Sequence, residues 1–72
     1  MYEIFFLPKD GDPTKDWGMK KKLYKKYSTA SAVMTRMMNT GKYDRAICTM
    51  ALTNDLDATH AKLVALNNGR RF

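Results

Sequence analysis

The stretch YEIFFLP, residues 2 to 8, does most to restrict what this chain can become. Aromatic and branched residues favour extended backbone, and Pro8 with the polar run KDGDPTKD ends the segment, so a strand is predicted over 2–7. Successive side chains of a strand point to opposite faces, which puts Tyr2, Ile4 and Phe6 on one side and Glu3, Phe5 and Leu7 on the other. Apolar residues therefore stand on both sides. Such a strand belongs inside a sheet rather than at its rim.

The chain has little material with which to cover it. Its 72 residues make one domain, 1–72, and a domain of that size buries only about 60% of the surface that its unfolded chain exposes. With 44% hydrophobic and 28% charged residues spread along its length, the chain reads as folded rather than disordered. Cys48 is the one cysteine and has no disulfide partner within the chain, and no Cys/His cluster is present, so neither a metal nor a cofactor is expected. Stability must come from packing, or from a homodimer that adds buried surface. The opening MYEIFFLP carries Glu3, lacks a basic leader region and stops at Pro8, unlike a signal peptide. No run approaches the roughly 18 apolar residues of a membrane span. The expected setting is cytoplasmic, without membrane contact.

Three further segments complete the expected fold. In STASAVMTRMMNTGKY, Ser28 or Thr29 is placed to cap a helix over 29–40, Ala30, Val33, Met34, Met37 and Met38 form an i, i+3, i+4 stripe, and Gly41 suits the left-handed turn that ends it. RAICTMALT (45–53) is apolar on both faces, as a central strand is. KLVAL before Asn68-Gly69 suits a strand near 60–66 entering a tight turn. Residues 20–27 also read as a strand, because Gly18 weakens the competing helix. The resulting fold is α+β: a small antiparallel sheet of about four strands, near 2–7, 20–27, 45–53 and 60–66, with one main helix packed on one face. Its expected core is Ile4, Phe6, Leu23, Val33, Met37, Ile47 and Leu63. The alternative places helices at 13–27, entered through Asp12-Pro13, and at 57–67, capped by Asp55 or Asp57.

Charge is concentrated in one place. KKKLYKKY, residues 20–27, contains five lysines and no acid, and the remaining 64 residues hold eight basic and seven acidic groups, so nearly all of the net +6 is local. Lys20, Lys21, Lys22, Lys25 and Lys26 are candidate phosphate contacts, with Tyr24 and Tyr27 to stack on bases, and with Lys42, Arg45, Arg70 and Arg71 to extend the patch if the fold gathers them. The octapeptide has no arginine, whose planar fork matches phosphate best, and no nucleic-acid-binding signature surrounds it. Lysines also suit an edge strand that must not aggregate.

Catalytic chemistry is sparse. A Cys48/His60 pair is conceivable, but a cysteine in an apolar run packs as a small hydrophobe. DGDPTKD offers Asp10, Asp12 and Asp16, yet lacks the glycine and terminal glutamate positions of a calcium loop and reads as a turn. Met34, Met37 and Met38 read as core filling with room for one to face outward. The expectation is a non-enzymatic interaction module that binds and modulates an intracellular protein or nucleoprotein complex. Largely sequence-nonspecific binding of DNA or RNA through 20–26 is the alternative. Partner contacts are assigned to Lys20, Lys21, Lys22, Tyr24, Lys25, Lys26, Arg70 and Arg71.

Overall fold

The computed structural model describes residues 1–51 and 54–69. The class is α+β, with elements in the order β1 (Tyr2–Pro8), β2 (Gly18–Met19), α1 (Tyr27–Asn39), β3 (Tyr43–Met50) and α2 (Leu56–Asn67). The sheet has three strands in the order β2-β1-β3, antiparallel throughout, rather than about four. The doubly apolar strand is thus the central one. β2 and β3 run in the same direction on either side of it, joined through α1.

Alternation along β1 divides the molecule into two layers of packing. Ile4 is fully buried against α1 residues Ala30 and Met37, joined by Tyr24, with Tyr2, Phe6, Val33, Met34, Tyr43 and Cys48 around them. Phe5 and Leu7 face the other way, onto Trp17, Met19, Ile47, Leu63 and Leu66. Register follows the same parity, since Ile4 pairs with Cys48 and Phe5 with Ile47. A helix therefore covers each face, where one main helix on one face was expected.

Residues 60–66 are helical and belong to α2, which corrects the expected strand there. Asp55 caps this helix by accepting the Asp57 N–H at 2.9 Å, and Gly69 beyond its end has φ +75°. The alternative reading over 57–67 is therefore the right one. Its inward stripe, Thr59, Lys62, Leu63 and Leu66, has helical spacing but only two apolar members, which is why hydrophobic periodicity did not reveal it.

Residues 20–27 do not form the expected strand, nor is there a helix over 13–27. Pairing with β1 is limited to Gly18 and Met19, after which the Lys20 N–H reaches the Ile4 carbonyl at 3.0 Å. It resumes only at Tyr24, which exchanges backbone hydrogen bonds of 2.9 and 2.6 Å with Tyr2. From Lys20 to Tyr24 the chain advances four residues while β1 advances two, from Ile4 to Tyr2, so two residues bulge outward. Extended lysines would keep like charges close together, whereas the bulge releases Lys21 and Lys22 to solvent. Gly18 is required in this arrangement, because a Cβ there would lie 2.7 Å from the Phe6 ring.

The remaining expectations are met in part. α1 begins at Tyr27, two residues early, with Lys26 at its N-cap and no side-chain cap from Ser28 or Thr29, and Gly41 after it has φ +73°. The strand expected over 45–53 runs from Tyr43 to Met50 and lies at the edge of the sheet, not in its centre. Its two apolar faces are covered by the two helices instead of by a further strand, and Leu52 and Thr53 lie outside the described residues. Of the expected core, Ile4 and Met37 are buried, whereas Phe6, Leu23, Val33, Ile47 and Leu63 are only partly so. Phe5, Leu7, Trp17, Tyr24, Ala30 and Ala51 take their place.

Among the described residues one buried group is charged. The Glu3 carboxylate, with no exposure, accepts hydrogen bonds from Thr49 Oγ1 (2.7 Å), Thr59 Oγ1 (2.8 Å) and Lys62 Nζ (2.5 Å). Burial pushes its pKa up, but the hydrogen bonds from Lys62, Thr49 and Thr59, with the Lys62 charge, outweigh this and leave it below the usual glutamate value. The cluster joins β1, β3 and α2. Nearby, Asn67 clamps the Trp17 backbone, accepting its N–H at 2.8 Å and donating to its carbonyl at 3.1 Å.

Candidate anion-binding face

The lysine run divides by position. Lys21, Lys22, Lys25 and Lys26 are exposed along the β2 edge of the sheet, and Lys20 is half-buried. Tyr24 is a core residue, 8% exposed, with the Lys22 ammonium 5.5 Å from its ring centre. Tyr27 is the accessible ring, 56% exposed and edge-on to Tyr2 at 5.6 Å.

Lys20 stands on the α1 face of the sheet, opposite Ile4, and there borders a cleft of about 430 Å³. The volume lies within the range of small-molecule sites. α1 contributes Arg36, with Val33 and Met37 as an apolar floor, the turn after α1 contributes Lys42, and the start of β3 contributes Tyr43. Thr40 completes this rim, its hydroxyl donating to the Met37 carbonyl at 2.7 Å and accepting the Lys42 N–H at 3.3 Å. Tyr43 is held edge-to-face against Phe6, ring centres 5.1 Å apart.

The electrostatics are one-sided. Among the described residues, three cations from three segments line the cleft, and no carboxylate does. Glu3 points to the opposite face, where Lys62 pairs with it. Asp44, next to Tyr43 in the chain, lies 3.6 Å from Arg45 Nε on the exposed surface.

The fold therefore gathers Lys20, Tyr24 and Lys42 around the cleft but leaves Arg45 elsewhere, while Arg70 and Arg71 lie outside the described residues. Arg36 was missed by sequence reasoning. Its signal was its place between Val33 and Met37, a cation on the flank of an otherwise apolar helix stripe.

Other candidates resolve into structural roles. Cys48 packs on the α1 face, and burial, then the Glu3 charge, raises its pKa, so the thiol stays protonated. His60 is exposed on α2, on the opposite side of the sheet. In DGDPTKD the Asp12 carboxylate accepts from the Thr14 hydroxyl (2.6 Å) and N–H (2.9 Å), which hold its pKa below the usual aspartate value, and Asp16 accepts the Asp12 N–H at 2.6 Å. These are turn contacts. Among the described residues no group of His, Cys, Asp and Glu is arranged to hold a metal, and no helix is long and apolar enough to cross a membrane. Met38 is the methionine of the α1 stripe that faces outward, at 39% exposure.

Comparison with known proteins returns no match to a family model, a curated protein or a solved structure.

Proposed function

We propose that this chain is a non-enzymatic binding module whose partner is a single-stranded nucleic acid, free or within a nucleoprotein complex, held on the basic face formed by the lysine run and the α1 cleft. The observation that carries this reading is the convergence of Lys20, Arg36 and Lys42 from separate segments on one acid-free concavity. Edge protection accounts for Lys21 and Lys22 at the bulge but gives no reason for the other three to meet. Exposed lysines beside it supply phosphate contacts, each releasing a counterion, and Tyr27 offers a stacking surface beside Lys25 and Lys26.

Fluorescence anisotropy with a labelled single-stranded oligonucleotide tests the reading. Affinity should fall steeply with salt, by about 0.7 in log K per unit of log salt for each phosphate contact on a single strand. Replacing Lys21, Lys22, Lys25 and Lys26 with glutamine should flatten that slope by up to about 3, four contacts at that increment. Binding that is absent at low salt, or unchanged in the variant, refutes it.

A further inference from the structure

We infer that the α1 cleft is a subsite for one nucleotide unit, taking its phosphate on the Lys20, Arg36 and Lys42 cations and its base against Tyr43 and the Val33–Met37 floor. The inference rests on the nucleic-acid reading above and adds to it a site able to bind a nucleoside monophosphate alone.

The lining asks for a ligand of two characters. Three cations without a carboxylate select an anion, and Arg36 supplies a planar fork of donors suited to phosphate oxygens. A floor of Val33 and Met37, the latter 6% exposed, offers nothing to a bare inorganic anion but suits the flat apolar face of a base. Tyr43 is fixed by its edge-to-face contact with Phe6 on the central strand, so the wall against which a ring would lie is already in place. Thr40, its hydroxyl used within the turn, fixes the backbone of Lys42. Lys21, Lys22, Lys25 and Lys26 are exposed and do not line the cleft, and so can follow a backbone but not enclose a base.

The experiment titrates the full chain with AMP, adenosine, inorganic phosphate and phosphotyrosine, monitored by amide chemical shifts and calorimetry. AMP is expected to saturate, to bind more tightly than adenosine or phosphate, and to perturb Arg36, Lys42 and Tyr43. Arg36→Gln and Lys42→Gln, both at exposed positions, should each weaken AMP about tenfold, the loss of one charge-assisted contact, with the thermal melt unchanged. The oligonucleotide slope that depends on residues 21–26 should persist in these variants. AMP binding that survives both substitutions overturns the inference, as does tighter binding of phosphotyrosine, which would assign the cleft to a phosphopeptide. If AMP fails to bind while the oligonucleotide still does, the subsite is wrong and the wider reading stands; if neither binds, both fall.

Discussion

The two faces of the sheet are covered by helices of nearly equal length, 13 residues in α1 and 12 in α2, yet they are built on different principles. On the α2 side a buried carboxylate ties three elements together, and Asn67 clamps the backbone beside Trp17. On the α1 side the contact with Ile4 is apolar and leaves a basic cleft at the helix's C-terminal half. Polar groups with fixed hydrogen-bond geometry specify one docking position, whereas an apolar seam tolerates a concavity. The α2 face is locked, and the α1 face is open.

The largest effect expected is that of Phe5→Ala. Phe5 is fully buried on the α2 side, and truncating such a ring costs about 3–5 kcal/mol, against a total of about 5–15 kcal/mol for a whole domain. A domain this small should lose most of its cooperative melt by circular dichroism. A native-like transition would show that the α2 layer is not the stabilising one.

Glu3→Gln comes next. It removes the charge that Lys62 faces and leaves an amide in place of an acceptor-only group, at a cost of about 2–3 kcal/mol in urea unfolding at neutral pH. The wild-type chain should also show an acid limb. Because the folded-state pKa of Glu3 is depressed, its contribution is present above the ordinary glutamate value of 4.5 and is lost as pH falls from there through the folded value. That limb should be shallower in Glu3→Gln, and equal limbs would contradict the assignment.

A smaller effect is expected on the other face. From sequence, Val33→Asp places a charge in a closed contact and should unfold the protein. In the structure Val33 is half-buried and borders the cleft, so the new carboxylate can reach water beside Arg36, at about 1–2 kcal/mol. Ala30→Asp, at a position with no exposure, is the stronger lesion. Equal destabilisation by both would mean that the cleft is closed in solution. The smallest effect is that of Lys21→Gln with Lys22→Gln, where bulged, exposed side chains should change stability by less than about 0.5 kcal/mol each while aggregation at high concentration increases.

Much of this architecture was legible where side chains and backbone ask for the same thing. The doubly apolar strand marked the centre of the sheet, and the Ala30, Val33, Met34, Met37 stripe marked α1 and its buried face. Legibility failed where one polar residue dictates the character of its neighbours. Glu3 in the central strand requires donors opposite it, so α2 presents Thr59 and Lys62 where an amphipathic helix would show apolar residues, and KLVAL then resembles a strand. The lysine run was misread for a different reason: its alternation fits extended backbone, but pairing with β1 is interrupted by two bulged residues that no local pattern announces. The clustering of charge was visible at once, while the cleft depends on Arg36 and Lys42 arriving from α1 and the turn after it, a tertiary fact.

The division between a locked face and an open one is tested most directly by amide chemical-shift mapping of the full chain titrated with a single-stranded oligonucleotide. Shifts concentrated at residues 20–27, Arg36, Lys42 and Tyr43, with α2 and Thr49 silent, are the predicted result. Perturbations centred on α2, or spread equally over both sides of the sheet, would contradict it.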